Sequence, residues 1–264
     1  MARIVAVTNQ KGGVGKTTTC VNLAASLAAT KRRVLLVDMD PQGNATMGSG
    51  LDKNDLRLSG FDVLTRRRDA AEVRVEAPAS GFDMIPANGD LTAAEVELMN
   101  EIGREHRLRL ALKPLQEDYD FILIDCPPAL NLLTVNALAA ADSVLIPMQC
   151  EYYALEGLAA LMNTIEQIQE TVNPELQIEG ILRTMYDPRN SLTLDVSRQL
   201  SDYFGDKVYS AVIPRNVRLA EAPSYGMPAL SYDRSSKGAV SYLALAGEIV
   251  RRTGSGRKTG AVAV

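Results

Sequence analysis

The feature that most constrains this chain is a glycine-rich segment close to its start. Residues 10–18 read QKGGVGKTT, and they lie between a short apolar run, Arg3–Thr8, and a stretch of good helix formers, Thr17–Ala29. Consecutive glycines allow backbone N–H groups to turn toward an anion without a Cβ in the way. The first turn of a following helix adds unpaired N–H groups and the positive end of its dipole. We therefore predict a strand, a phosphate-binding loop and a helix, in that order.

This loop departs from the strict pattern GxxxxGK[ST] at its first position, where Gln10 replaces glycine. Lys16 is placed to bridge the terminal phosphates of a nucleotide, and the Thr17 hydroxyl is placed to bind Mg²⁺. A second lysine, Lys11, precedes Lys16 in the loop. Two lysines near one triphosphate suit a highly charged γ-phosphate or the nucleotide of a second subunit. A dinucleotide site fits less well, because Thr18 stands where the third glycine of GxGxxG belongs.

The rest of the chain alternates apolar runs of strand length with helical segments. We predict further strands at Arg33–Asp38, Phe82–Pro86, Tyr119–Asp125, Ser143–Met148, Ile178–Met185 and Val208–Ile213. Further helices are predicted at Thr92–Leu112, Leu132–Ala141, Tyr153–Val172, Leu192–Phe204 and Ala239–Arg252. Because strands that are apolar throughout are buried on both faces, the predicted fold class is α/β. We expect one P-loop NTPase (Rossmann-like) domain with a mostly parallel twisted sheet and helices on both faces.

The predicted domain spans residues 1–252, and a glycine-rich, flexible tail is expected at 253–264. Within the domain, the segment Asp52–Ser80 has no clear helical or strand pattern, and it contains three successive arginines at 66–68.

Composition excludes several classes of protein. The net charge is −4 over 264 residues, which excludes an overall basic surface for nucleic acid, so contact with DNA needs a local patch. Residues 183–218 carry a net charge of +2 and residues 232–264 a net charge of +4, so the last third could supply such a patch. The 3 cysteines have no CxxC spacing, which argues against a disulfide framework. No apolar stretch reaches the ~18 residues of a membrane span, and we expect a cytoplasmic protein.

Aspartates follow two predicted strands at their carboxyl ends, where ligands of open parallel sheets bind. Asp125 fits the Walker B role, which holds Mg²⁺ directly or through water. Asp38 is interpreted as a structural residue or a contact to Mg²⁺-bound water, and Asp40 as the residue that orients the attacking water. Phosphoryl transfer depends mainly on such positioning and on charge neutralisation. His106 lies in a charged run and is predicted to be a solvated helix residue without a catalytic role.

Three motifs in this order, QKGGVGKTT, LLVDMDPQGNAT and FILIDCPP, resemble those of the ParA/Soj family of deviant-Walker partition ATPases, which are relatives of MinD. The likeness continues through IPANGDLTAAEVEL, MYDPRNSLTLDV and VIPRNVRLAEAPSYGMP, and it covers about Arg3 to Arg252. It implies slow hydrolysis of ATP with Mg²⁺ and an ATP-sandwich homodimer that binds double-stranded DNA nonspecifically. It also implies that a ParB-type centromere-binding protein stimulates hydrolysis, which releases the DNA and moves chromosomal or plasmid cargo. The expected location is the cytoplasm, in association with the nucleoid and without membrane binding.

The resemblance also implies roles for particular residues. Lys11 would be the signature lysine that reaches the partner subunit's phosphates, and Gly12 would lie at the dimer interface, where a side chain would clash. The implied nucleotide-binding set is Lys11, Gly12, Gly13, Val14, Gly15, Lys16, Thr17, Thr18, Met185, Pro214 and Asn216. The implied catalytic set is Lys11, Lys16 and Asp40; the metal set is Thr17, Asp40 and Asp125, with the aspartates acting through water; and the DNA-binding set is Arg189 and Arg218.

Three alternatives remain open at this point. A MinD-like ATPase that positions division machinery on the membrane would need a C-terminal helix with bulky apolar and basic faces, whereas residues 239–246 (AVSYLALA) read as a packed core helix. A metabolic or redox relative would be a small-molecule ligase or a nitrogenase-like iron protein, and the latter needs cysteines that bridge two subunits. A binding module without hydrolysis is the third alternative.

Overall fold

The first strand, loop and helix form in the order that the sequence predicts. Strand β1 (Arg3–Val7) is almost fully buried, and helix α1 (Lys16–Ala29) begins directly after Gly15. The computed structural model describes residues 1–256. Within them, no helix is long and apolar enough to cross a bilayer.

Seven further strands complete one sheet with β1. They are β2 (Val34–Asp38), β3 (Val75–Glu76), β4 (Asp83–Ile85), β5 (Phe121–Asp125), β6 (Ser143–Gln149), β7 (Gln177–Tyr186) and β8 (Val208–Pro214). The strand order is β3-β4-β2-β5-β1-β6-β7-β8, and all neighbours are parallel except the antiparallel pair β3 and β4. The register sets Val7 and Asp38 on either side of Asp125. The carboxyl ends of β1, β5 and β2 therefore meet at one place.

Both faces of this sheet are covered, which explains the apolar strands. Ile4 and Ala6 pack into one buried apolar cluster, whereas Val5 and Val7 pack into a second cluster on the opposite face. The remaining helices are α2 (Asn44–Gly48), α3 (Gly60–Leu64), α4 (Ala70–Val73), α5 (Leu91–Glu97), α6 (Arg107–Leu112), α7 (Leu132–Ala140), α8 (Ala154–Thr171), α9 (Ser191–Phe204), α10 (Val217–Glu221), α11 (Ala229–Tyr232) and α12 (Lys237–Gly256). The predicted α/β fold with a mostly parallel sheet is confirmed.

The predicted helix Thr92–Leu112 is wrong as a single element. Helix α5 ends at Glu97, and α6 begins only at Arg107, after a short 3₁₀ turn at Arg104–His106. The break begins after Glu97 and includes Gly103, whose φ of 68° is a left-handed conformation that helices do not continue through. His106 belongs to the 3₁₀ turn, where it is partly buried rather than fully solvated.

Two other predictions, for the segment Asp52–Ser80 and for the end of the last helix, differ from the structure. The segment Asp52–Ser80 contains the short helices α3 and α4 and strand β3, which are too brief to show a periodic pattern. Helix α12 extends past Arg252 to Gly256, so the helix does not end at the predicted domain boundary. Residues 257–264 of the predicted tail lie outside the described residues.

Candidate nucleotide-binding site

The phosphate loop owes its shape to glycines at Gly13 and Gly15, which have φ values of 73° and 88°. These are left-handed conformations that residues with a Cβ adopt only at a cost. Gly15 caps α1 without any side-chain hydrogen bond to the N–H groups of the first turn. The start of α1 therefore presents backbone donors and a positive dipole end to the space inside the loop. Val14, between the two glycines, is buried and anchors the loop.

The two loop lysines point to different places. Lys16 is buried, and its Nζ donates to the carbonyl oxygen of Lys11 at 3.1 Å, across the inside of the loop. Burial lowers the pKa of Lys16, although the nearby Asp125 partly opposes this effect. Lys11 extends outward, and its Nζ donates to Glu151 Oε2 at 2.6 Å. Both side chains of this ion pair are close to half exposed, at 47% and 45%. Lys16 is thus positioned to contact a ligand inside the loop. Lys11 is held near the surface by Glu151, in the segment after β6.

Asp38, at the end of β2, holds the backbone of the segment that contains Asp40. Its carboxylate accepts hydrogen bonds from the Asp40 N–H at 3.1 Å, the Thr46 N–H at 2.9 Å and the Thr46 Oγ1 hydroxyl at 2.8 Å. Burial raises the pKa of Asp38 to about 6 despite these bonds. Asp40 is also buried, and its Oδ1 accepts from the Gln42 N–H at 2.9 Å. Of the two roles considered for Asp38, these contacts favour the structural one, with Asp40 as the residue it positions.

Asp125 ends β5 as a fully buried carboxylate that lacks a full set of partners. Its Oδ1 is 3.4 Å from Cys20 Sγ, and its Oδ2 has no hydrogen-bond partner among the described residues. Burial and repulsion from Asp38 raise the pKa of Asp125 to about 8, and the nearby Thr17 hydroxyl and Cys20 thiol partly oppose this rise. A buried, unsatisfied carboxylate oxygen is costly. Together with a threonine hydroxyl, it is a donor set that suits a hard cation such as Mg²⁺.

A cavity of about 200 Å³ adjoins the loop and unites residues that are far apart in the chain. Gly15 and Thr18 line it from the loop side. Met185 lines it from the end of β7, and Pro214 and Asn216 from the end of β8. The structure thus brings the three members of the implied nucleotide-binding set that lie outside the loop into one cavity with it.

Three polar residues that line this cavity were not predicted from the sequence. Thr184 lines the cavity, and its Oγ1 donates to the Val14 carbonyl at 2.8 Å. Tyr242, on α12, also lines it, and its hydroxyl lies 3.1 Å from Thr19 Oγ1. Arg215 is the third. Thr184 is a polar residue near the carboxyl end of β7 and could have been noticed for that reason, but nothing local distinguishes Tyr242 from an ordinary core residue.

The two predicted DNA-binding arginines lie on the surface, outside the cavity lining. Arg189 is 89% exposed, and its guanidinium makes a two-pronged pair with the Asp187 carboxylate at 2.9 and 2.8 Å. This pair lowers the pKa of Asp187 to about 2. Arg218 is paired with Glu221 at 2.7 Å and with Asp233 at 3.3 Å. Each arginine is accessible, but its charge is partly offset within the chain.

A parallel sheet that carries this loop, a strand-end aspartate and an adjoining cavity defines a P-loop nucleotide-binding α/β protein. A family model described as "AAA domain" matches residues 2–178. The chain is 54% identical over 249 residues to the sporulation initiation inhibitor protein Soj of Bacillus subtilis, covering 94% of this chain and 98% of that one. It is 53% identical over 252 residues to the chromosome partitioning protein ParA of Myxococcus xanthus, covering 96% and 89%. The chain belongs to the ParA/Soj family of chromosome-partitioning ATPases.

A solved structure shares the whole fold. The cobyrinic acid a,c-diamide synthase from Mycobacterium smegmatis, with a bound ATP analog and magnesium, superposes with a TM-score of 0.85 at 39% identity. The match covers 98% of both chains. The predicted family and fold are confirmed, and the predicted cofactors agree with the ligands of this neighbour.

Proposed function

We propose that this chain is an ATP-driven DNA-partitioning switch. Binding of ATP and Mg²⁺ closes a homodimer that binds double-stranded DNA without sequence preference, and hydrolysis stimulated by a ParB-type protein releases it. The observation that carries this proposal is the unsatisfied, fully buried Asp125 carboxylate oxygen beside Thr17, at the mouth of an uncapped helix. Such a site is unfavourable when empty and becomes favourable when a cation and phosphate oxygens fill it.

Each residue of the nucleotide-binding site has its own role in the proposed hydrolysis. Thr17 would hold Mg²⁺ through its hydroxyl, and Asp125 and Asp40 would hold it through water; the bound ion supplies neutralisation of phosphate charge. Lys16 and the backbone of residues 12–18 bind and orient the phosphates. Asp40 orients the attacking water, and its contacts with Asp38 and Gln42 keep it in place. Because a carboxylate is a weak base at neutral pH, this role is positioning, which is consistent with slow intrinsic turnover.

Two features support the sandwich dimer. A Cβ added to Gly12 would meet no atom within 4 Å, so packing inside the subunit does not require glycine there, whereas an approaching second subunit would. Lys11 is held only by a half-exposed ion pair with Glu151, and such pairs contribute about 0–1 kcal/mol. Lys11 can therefore leave Glu151 at little cost and reach the partner subunit's phosphates.

Dimer closure also explains how nucleotide would control DNA binding. A single patch around Arg189 and Arg218 is weak, because both arginines are partly offset by their own carboxylates. Two patches in one dimer make the second contact intramolecular, which raises avidity by about 10²–10⁴. Nucleotide that favours the closed dimer shifts the population toward the DNA-binding state, and hydrolysis reverses the shift.

Sedimentation of Asp40→Ala with saturating ATP and Mg²⁺, with and without duplex DNA, tests the proposal. We expect a stable dimer that co-sediments with the duplex, because binding is intact and hydrolysis is blocked. Lys16→Ala is the matched control and should remain monomeric, because it lacks the phosphate contact. A monomeric Asp40→Ala protein under these conditions would overturn the proposal.

Further observations favour this function over the alternatives. The apolar residues of α12, including Tyr242, Leu245 and Ile249, are buried in the core against α1 and β8, so this face is not available to a membrane. Liposome co-sedimentation with ATP tests for membrane binding.

The three free cysteines are all buried, which does not suit an iron–sulfur cluster shared between subunits. An iron assay tests this redox alternative. Release of phosphate in the presence of DNA and partner excludes a module that only binds.

A further inference from the structure

A second cavity, of about 360 Å³, lies between α3, α4 and α6, and none of the predicted site residues lines it. Its walls are largely apolar, with Val63, Ala70, Ala111 and Leu115 among them. Its size falls at the low end of the range for small-molecule pockets, about 300–1,000 Å³. Because the walls are largely apolar, a purely polar ligand would fit this cavity poorly.

Arg107 brings a buried positive charge to this cavity. The residue is 7% exposed, and its Nη2 donates to Glu101 Oε2 at 2.7 Å. Its Nε is buried and has no acceptor anywhere in residues 1–256. A buried N–H on a charged group that lacks an acceptor is unfavourable. Arg107 therefore adds positive charge to the wall of the cavity without a carboxylate at its Nε.

The successive arginines of the sequence supply two more guanidinium groups. Arg66 and Arg68 both line the cavity, are exposed, and form no ion pair with any carboxylate in the described part of the chain. Arg67, between them, is instead paired with Glu97 and lies over the ring of Phe61. The lining therefore carries three arginines against one acid, Asp69.

We propose that this cavity binds a small carboxylate with an apolar body, of the medium-chain fatty acid type. The planar guanidinium groups match the two oxygens of a carboxylate, and the apolar walls accommodate the chain. This site is separate from the nucleotide site, and its test does not depend on ATP.

Isothermal titration with three probes tests both halves of the proposed ligand. Octanoate carries charge and chain, 1-octanol carries the chain alone, and inorganic phosphate carries charge alone. We expect octanoate to bind saturably, with one molecule per chain. We expect 1-octanol and inorganic phosphate to bind at least about tenfold more weakly, because 1-octanol lacks the charge-assisted contact and phosphate lacks the apolar contact. Equal binding of octanol or of phosphate, or no saturable binding of octanoate, would overturn the proposal.

Variants then place the ligand in this cavity. The double variant Arg66→Gln/Arg68→Gln removes charge from exposed positions, and Ala111→Leu fills the cavity without changing charge. Each should weaken octanoate binding about tenfold or more, whereas Arg198→Gln, an exposed arginine on α9, should not. Circular dichroism melting confirms that all three fold. Unchanged affinity in Ala111→Leu would place the ligand elsewhere and contradict the proposal.

Discussion

Gly12 and Gly15 occupy the same loop for different physical reasons. Gly15 has a φ of 88°, so any other residue there is strained, whereas Gly12 has open space around it and no left-handed backbone. We expect Gly15→Ala to lower the free energy of unfolding by about 1–2 kcal/mol. Gly12→Val should change the stability by less than about 0.5 kcal/mol but abolish the ATP-dependent dimer. Urea unfolding and sedimentation separate the two effects, and a normal dimer in Gly12→Val would remove Gly12 from the interface.

The ion pair between Lys11 and Glu151 must break before Lys11 can act in a second subunit. Because the pair is half exposed, its loss in Glu151→Gln should change the ATP concentration needed for dimerisation by less than about fivefold, toward lower ATP. Glu156→Gln, which alters another acid on the start of α8, serves as the control. A large loss of dimerisation in Glu151→Gln would show instead that Glu151 contributes to the closed state.

At the scale of elements, the attachment of α12 to β8 depends on one buried carboxylate. Glu248 accepts the N–H groups of Ser210 and Ala211, each at 3.0 Å, and pairs with Arg252 at 2.7 Å. Glu248→Gln should lower the free energy of unfolding by about 1–3 kcal/mol, because a charged acceptor is lost at partly buried donors. Glu170→Gln, at an exposed position of α8, should change it by less than about 0.5 kcal/mol. Urea titration measures both.

The same carboxylate gives stability a pH dependence. Burial alone would raise the pKa of Glu248, but the two N–H groups and Arg252 hold it below its usual value of 4.5. A depressed pKa contributes stability that is complete above the unfolded value and is lost as the pH falls through the folded value. We therefore expect wild type to lose more stability than Glu248→Gln when urea unfolding is repeated from pH 6 downward. Parallel losses in the two proteins would contradict this assignment.

Local sequence patterns were sufficient to predict an element where it is long or contains residues with a recognisable chemical role. The strands around Val7 and Asp125 could be predicted because buried parallel strands are apolar throughout, and the loop because glycines and lysines are arranged for phosphate. The helix break between Glu97 and Arg104, which includes Gly103, was not predicted, since a single glycine is also tolerated inside helices. Tyr242 and Glu151 reach the site through tertiary packing alone, which no local spacing encodes.

For the whole molecule, the net charge of −4 restricts the proposed DNA binding to a small region in which arginines are paired with acids. Arg189→Ala and Arg218→Ala should each weaken duplex binding equally on all sequences, and each should reduce the salt slope by about 1 per arginine removed. Asp187→Asn should do the opposite, because it frees the Arg189 guanidinium from its two-pronged pair.

Filter binding of the ATP-bound Asp40→Ala background at several salt concentrations measures these effects without hydrolysis. Arg57→Ala is a suitable control, because Arg57 is exposed but lies outside residues 183–218 and 232–264, which carry the net positive charge. In the proposed dimer, two copies of every arginine are present, so a single substitution would remove two phosphate contacts at once. Its effect should therefore be larger in the Asp40→Ala background than in the Lys16→Ala background, which is expected to be monomeric. An equal effect in both backgrounds would mean that nucleotide and DNA binding are not coupled through the dimer.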